Sequence, residues 1–161
     1  MIVVDPNLLL YAYSAASPHH QRALSWSQEI LSGEEAVGLP WQTIAAFVRI
    51  ATDHRVPGYR RSPEEVMQTV EQWLERPQVR ILWPGDRFIA LFRGMVIEAK
   101  ASGPLISDAE IAALTIEHGG VLYTADRDFA RFPGLRWKNP LSSPGAKSRL
   151  HVATHQHGTA K

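Results

Sequence analysis

Short apolar runs alternate along the chain with longer segments whose apolar residues recur at a helical period, and this alternation restricts the fold most strongly. The strand candidates are "MIVV", residues 36–39, "VRILW", "VLY" and "LRWKNP". Strands that alternate with helices pair in parallel, because each helix carries the chain back across a face of the sheet. We therefore predict an α/β fold, a three-layer α/β/α sandwich with a central, mainly parallel sheet and "LRWKNP" as its edge strand.

Helix start signals place several polar residues at the ends of these strands. Asp5 precedes Pro6 and an apolar run, which predicts a helix with Asp5 as its N-cap. Ser107 and Glu110 are spaced as a capping box, so the helix after Ser107 is expected to begin at Asp108. Trp41 falls at helical spacing and is interpreted as a core residue.

Length and composition favour one domain at residues 1–141, followed by a disordered tail at residues 142–161. The tail is rich in Ser, Gly, Pro, Lys and His and shows no periodicity. The chain has no cysteine, so it has no thiolate zinc site or cysteine nucleophile, and this agrees with a reducing cytoplasm. No apolar run reaches the roughly 18 residues of a membrane span. With a net charge of +1, any contact with a polyanion has to use local clusters of basic residues.

Acidic residues that are distant in sequence are expected to meet at one edge of the predicted sheet. Ligands of an open parallel sheet bind beyond the carboxyl ends of its strands. Asp5 follows the first strand, Asp126 and Asp128 follow "VLY", and Asp108 starts the helix that leads into "VLY". Carboxylates brought together repel one another unless a cation separates them, and an all-oxygen set suits Mg²⁺ or Mn²⁺.

Each of these aspartates also has a purely structural interpretation. Asp5 could serve only as an N-cap, Asp108 could complement a helix dipole, and Asp128 could be a surface turn residue. The convergence of all of them on one edge favours a metal site, because caps have no reason to gather there.

Three stretches resemble the PIN-domain ribonucleases, most closely the VapC-like toxins of bacterial toxin–antitoxin pairs. They are "IVVDPNLLLYAY", "LPWQTIAAFVRIAT" and "LISDAEIAALTIEHGGVLYTADRDFARFPGLRWKNP". The resemblance covers residues 1–141. It implies catalytic roles for Asp5, Asp108, Asp126 and Asp128, of which the first three are the implied metal ligands. It also implies substrate or indirect metal contacts for Asn7 and Thr124. Arg127 flanks the acidic motif and could bind a phosphate of the RNA.

The resemblance further implies an Mg²⁺- or Mn²⁺-dependent endoribonuclease that cleaves a structured RNA, such as tRNA or rRNA, and inhibits translation and growth. The implied partners are a small antitoxin protein and a second copy of the chain. The helical segments Ala23–Leu31 and Val66–Leu74 could supply the partner surface or could be ordinary core faces. Arginines near Tyr59 could bind phosphates while the ring stacks on an unpaired base; they are Arg49, Arg55, Arg60 and Arg61.

One position departs from the family pattern. The family usually carries a glutamate just before the phenylalanine of its third helix, and this chain has Ala46 there. The loss could weaken metal binding, shift the load to Asp128 or Glu110, or indicate a scaffold that binds RNA or a partner without cleaving.

A different enzyme class, the haloacid-dehalogenase-like phosphatases, also begins with a strand that ends in an aspartate. That class needs a second acid two residues later, where this chain has Asn7. The sequence therefore favours the nuclease over the phosphatase.

Overall fold

A computed structural model describes residues 1–59, 61–142 and 150–153. The strands are β1 (Ile2–Val4), β2 (Val37–Pro40), β3 (Val79–Leu82), β4 (Val121–Tyr123), β5 (Arg136–Lys138) and β6 (His151–Val152). The helices are α1 (Pro6–Tyr13), α2 (His20–Ser32), α3 (Trp41–Ala51), α4 (Pro63–Leu74), α5 (Phe88–Glu98) and α6 (Leu105–Glu117), with a 3-10 helix at Arg127–Arg131. In the described residues, no helix is long and apolar enough to cross a membrane.

The strands form one sheet in the order β3-β2-β1-β4-β5-β6. The first five are parallel, and β6 is antiparallel to β5. Side chains of β1 alternate between two cores, because successive residues of a strand point to opposite faces. Ile2 and Val4 pack with α1, α2, α3 and α4, whereas Val3 packs with α5, α6 and the 3-10 helix. The three-layer α/β/α sandwich with a mainly parallel sheet is confirmed.

The central strands place polar residues side by side at their carboxyl ends. Val4 of β1 pairs with Tyr123 of β4, so Asp5 and Thr124, the next residues along each strand, leave the sheet together. On the other side of β1, Val3 pairs with Gly38 of β2, and Pro40 pairs with Leu82 of β3. The carboxyl ends of these four strands therefore share one edge of the sheet.

The start of α6 differs from the predicted capping box. The helix begins at Leu105, with Pro104 as its N-cap and no side-chain cap. Gly103 adopts a positive φ of 57°, and its carbonyl accepts a hydrogen bond from Ile106 N–H at 3.1 Å, so the turn begins before Ser107. Asp108 consequently lies within the first turn of α6 rather than at its first position. A capping box does form at Ser62 and Glu65 of α4.

The C-terminal part of the sheet also differs from the sequence prediction. β6 pairs with β5, so β5 is not the edge strand. Residues 150–153 therefore form structure within the segment for which a disordered tail was predicted. Residues 143–149 and 154–161 lie outside the described residues, and there the prediction stays a prediction.

Candidate active site

The carboxylate of Asp5 is buried at the end of β1 and does not cap the helix that follows it. Asp5 occupies the N-cap position of α1, but its side chain makes no capping hydrogen bond, and the residue is 4% exposed. Oδ2 instead accepts a short hydrogen bond from the hydroxyl of Thr124. Asp5 thus occupies the N-cap position of α1 while its carboxylate is held by Thr124 from beyond β4.

Thr124 joins several groups of this edge through one fully buried hydroxyl. Besides donating to Asp5, its Oγ1 accepts from the backbone N–H of Asp126 at 2.9 Å and from Asn7 Nδ2 at 3.4 Å. The same oxygen thus uses its donor and acceptor capacity together. The network fixes Asp5 and Asn7, from the first residues of the chain, against Thr124 and Asp126, from beyond β4.

Burial and neighbouring charges both raise the pKa values of Asp5 and Asp108. Burial raises the pKa of Asp5 to about 7; the hydrogen bond from Thr124 lowers it, and the charges of Asp108 and Asp126 raise it. Burial also raises the pKa of Asp108 to about 6, and the charges of Asp126 and Asp128 add to the rise while Arg131 opposes it. These acidic groups therefore lie close enough to repel one another.

Asp128 lies farther toward solvent than Asp5. Its backbone N–H donates to Asp126 Oδ1 at 2.8 Å, which caps the 3-10 helix. Its exposed carboxylate accepts from Arg131 at 3.2 Å. Arg127, at the start of the 3-10 helix, is also exposed. Asp128 and Arg127 thus form the outer rim of the site.

The donor set of this edge fits a magnesium or manganese ion that keeps much of its water. Among the described residues, no group of three acidic or histidine side chains is arranged so that it could hold a metal ion. Mg²⁺ usually retains several waters and takes only one or two carboxylates from a protein. All available donors are oxygens, and Asn7 Oδ1 is buried there without a hydrogen-bond partner. A hydrated ion would satisfy that oxygen and reduce the repulsion between the acids.

The position of the missing glutamate lies on α3, near the same sheet edge. Thr43 Oγ1 donates to the carbonyl of Val4 at 2.8 Å, which ties the start of α3 to the residue before Asp5. Ala46 is half-buried, one turn along the helix from Gln42. Gln42 Oε1 is buried and has no hydrogen-bond partner in the structure. This part of α3 therefore presents an unsatisfied oxygen but no carboxylate.

Within the predicted cluster of arginines and a tyrosine, the tyrosine ring is not available to stack on a base. Tyr59 is only 9% exposed, and its hydroxyl donates to the carbonyl of Leu10 at 2.9 Å. Arg55 pairs with Asp53 at 2.9 Å, and the guanidinium of Arg61 lies 5.0 Å from the ring of Tyr13. Arg60 lies outside the described residues. The prediction of a base stacked on Tyr59 is wrong, because that ring belongs to the core.

Sequence periodicity also assigned Trp41 to the core, and the structure places it at the surface. Trp41 is 47% exposed and stacks on Trp83, which is 54% exposed. Apolar spacing could not distinguish this exposed pair from core tryptophans such as Trp26.

The sequence left open whether the apolar residues of α2 and α4 face a partner protein or the core. Ala23 and Ile30 of α2 and Val66 and Val70 of α4 are buried in the core, so these side chains do not form a partner surface.

Comparisons with known proteins agree with this architecture. A family model of the PIN domain matches residues 2–135. Ribonuclease VapC33 of Mycobacterium tuberculosis is 36% identical over 141 residues, which are 88% of this chain and 99% of that protein. The structure of VapBC-1 from nontypeable Haemophilus influenzae superposes with a TM-score of 0.64 at 21% identity, covering 88% of this chain and 100% of that one. VapC20 of Mycobacterium tuberculosis, described as a sarcin–ricin loop cleaving toxin, gives a TM-score of 0.59 at 19% identity, covering 81% and 93%.

Proposed function

The chain belongs to the PIN-domain family, and we propose that it is a metal-dependent endoribonuclease that acts as the toxin of a toxin–antitoxin pair. The name of its relative VapC33 supports the ribonuclease activity. The description of VapC20 as a toxin supports the biological role, through the shared fold. The substrate would be a structured RNA such as tRNA or rRNA, and the action would take place in the cytoplasm.

The observation that carries this proposal is the buried carboxylate of Asp5. A buried acid is costly to ionise, yet Asp5 is held by Thr124 and faces the charges of Asp108 and Asp126. Acidic side chains whose pKa is raised by burial and by neighbouring charges cluster at functional sites, and an N-cap does not require a raised pKa. Asp5, Asp108 and Asp126 are therefore the proposed metal-binding carboxylates, as direct ligands or through water.

The chain's own residues would position the ion and the substrate. A bound Mg²⁺ or Mn²⁺ would lower the pKa of a water molecule and offset negative charge at the scissile phosphate. Thr124 orients the carboxylate of Asp5 by its hydrogen bond, and Asn7, which donates to the same hydroxyl, carries a buried amide oxygen without a hydrogen-bond partner. Arg127 is exposed beside these acids and is the proposed contact for a phosphate of the RNA. Asp128 is proposed to orient the attacking water from the same rim.

Nuclease assays on total RNA with Mn²⁺ test the proposal directly. The wild-type chain should cleave RNA, and Asp108→Asn should reduce the rate by at least about 100-fold, because it removes charge at the metal site. Asp53→Asn is a matched control, since Asp53 lies beyond the far end of α3 and pairs only with Arg55 in an exposed loop. Adding EDTA should abolish cleavage by the wild type. Equal activity of the wild type and Asp108→Asn would refute the proposed site.

A small antitoxin and a second copy of the chain are the proposed protein partners. Induced expression of the wild type should arrest growth and translation, whereas Asp108→Asn should not. Co-expression of the cognate antitoxin should restore growth. Growth arrest that persists in Asp108→Asn would show that toxicity does not depend on RNA cleavage.

Ala46 supports one alternative, a scaffold that binds RNA or a partner without cleaving it. The described part of α3 offers no carboxylate near the site, so metal binding depends on the remaining acids. If the wild type binds RNA but leaves it intact with Mn²⁺ and with Mg²⁺, the scaffold function replaces the nuclease.

A further inference from the structure

The stacked pair of Trp41 and Trp83 is the largest exposed aromatic surface that the described residues bring together. The ring centroids lie 5.3 Å apart with an interplanar angle of 16°, and about half of each residue is exposed. Single exposed apolar residues are common, but two indoles in contact form a patch that normally serves recognition. About half of each tryptophan therefore remains accessible to a ligand although one face of each ring is used by the other ring.

The pair lies on the same sheet edge as the acidic pocket. Trp41 directly follows β2, and Trp83 directly follows β3, while Asp5 follows β1. Adjacent strands are about 4.8 Å apart, so the pair begins one to two strand spacings from the end of β1. Thr43, in the same turn of α3 as Trp41, donates to the carbonyl of Val4. The backbone that carries the indoles therefore lies beside the strand end that carries Asp5.

Local contacts hold the segment after β3 in place. The ring Nε2 of His118 donates to the carbonyl of Trp83 at 3.0 Å. The carboxylate of Glu117 accepts from the backbone N–H groups of Gly85 and Arg87, both at 2.9 Å. Pro40 precedes Trp41 and Pro84 follows Trp83. Proline fixes its own φ angle and restricts the backbone of the residue before it, so the chain next to each tryptophan has few conformations. The surface is therefore pre-organised, which lowers the entropic cost of binding a flat ligand.

We propose that Trp41 and Trp83 form a stacking platform for an unpaired base of the RNA substrate, a few nucleotides from the scissile phosphate. This inference rests on the proposed ribonuclease function and adds to it how the substrate is held. Every nucleobase has a flat π-face, and stacking on an aromatic side chain is a common way to hold single-stranded RNA. The platform predicts a preference for substrates with unpaired nucleotides beside the cleavage position.

Substitution by leucine separates stacking from plain hydrophobic contact. Trp41→Leu and Trp83→Leu keep apolar bulk but remove the π-face, whereas Trp41→Phe and Trp83→Phe keep a smaller ring. Met67→Leu, on the exposed face of α4, is a control for an exposed apolar change elsewhere. Thermal unfolding should show that all variants remain folded, because both indoles are already half exposed.

Binding is measured first without cleavage, by fluorescence anisotropy of a labelled single-stranded RNA in EDTA. Each leucine variant should lower affinity roughly tenfold, each phenylalanine variant by less, and Met67→Leu should not change it. Affinity for a fully paired RNA of the same sequence should change little. In Mn²⁺, the leucine variants should raise KM while kcat stays close to that of the wild type.

Unchanged RNA affinity and KM in both leucine variants would overturn the platform while leaving the proposed nuclease intact. Sedimentation velocity on the same samples tests the competing occupant, a second copy of the chain. Loss of a dimer in the leucine variants, with RNA binding unaffected, would assign the surface to that copy and overturn the proposal. A wild type that binds single-stranded RNA through the indoles but never cleaves it would refute the nuclease and retain the platform.

Discussion

The carboxyl ends of β1 and β4 carry a buried polar network, whereas those of β2 and β3 carry two exposed indole rings. The first region holds its acids under mutual repulsion, and the pKa of Asp5 is raised to about 7. The second holds apolar surface in water, and the side chains of Glu117 and His118 at the end of α6 hydrogen-bond to the backbone that follows β3. One sheet edge thus combines acidic residues that could bind a metal ion with aromatic rings that could stack on a flat ligand.

This difference predicts that the two regions control different kinetic quantities. Changes in the polar network act on the reacting phosphate and should lower kcat. Changes in the indole pair act on binding at a distance and should raise KM. Variants of the polar network therefore test whether the two regions control different quantities.

Asp5→Asn should have the largest effect on activity. The substitution removes the most buried charge of the site, and a metal contributes several kcal/mol of transition-state stabilisation. We expect kcat with Mn²⁺ to fall by at least about 100-fold while the affinity for single-stranded RNA in EDTA stays within about twofold. If RNA affinity fell as much as kcat, the two regions would not be separable.

The stability of the metal-free protein should decrease as pH rises from about 4 to about 7. The folded-state pKa of Asp5, about 7, lies above its ordinary value of 3.8, so the folded state holds more protons in this range. The raised pKa of Asp108 adds to the trend up to about pH 6. The loss in free energy of unfolding should be on the order of a few kcal/mol.

Urea titrations at several pH values with EDTA would measure this dependence. Asp5→Asn should flatten it, and Trp83→Leu should leave it unchanged. A slope that Asp5→Asn does not alter would mean that other groups cause it. Mn²⁺ affinity should rise over the same pH range, because protons compete for the carboxylates.

Thr124→Val should lower Mn²⁺ affinity by about 10- to 100-fold, the usual cost of losing a group that orients a metal ligand. The change leaves the N–H of Asp126 without its acceptor and Asp5 without its donor. Thr115→Val is the matched control, since Thr115 is equally buried but bonds only to Ile111 of its own helix. Calorimetric titration with Mn²⁺ would compare the affinities of the two variants. Equal losses of affinity would indicate that general destabilisation, and not the bond to Asp5, causes the effect.

Ala46→Glu should have the smallest effect, a gain in Mn²⁺ affinity of about tenfold or less. It restores a carboxylate where the family usually has one, and added ligand charge strengthens divalent-cation binding. Gln42 lies one turn away on the same helix, and its amide NH2 group can donate a hydrogen bond to the new carboxylate. Unchanged affinity would show that this face of α3 does not reach the metal site.

The fold could be predicted from the local periodicity of apolar residues. That the acidic residues lie together could be predicted from the parallel arrangement of the strands. Parallel strands end at a common edge, so Asp5 and the residues after β4 had to meet there. The position of Trp41 could not be predicted in this way, since helical spacing does not show whether a neighbouring element covers a face. The start of α6 was also missed, because Gly103 and Pro104 form a turn that competes with the capping box at Ser107.

The two-residue strand β6 has a practical consequence for preparing the protein. It covers the free edge of β5, with the N–H groups of Gly134 and Ala153 hydrogen-bonded across the two segments and His151 stacked on Trp137. A chain shortened to Leu141 would leave the unpaired amides and carbonyls of β5 facing water, a known template for self-association. Shortened chains are therefore expected to aggregate more readily than chains that retain β6.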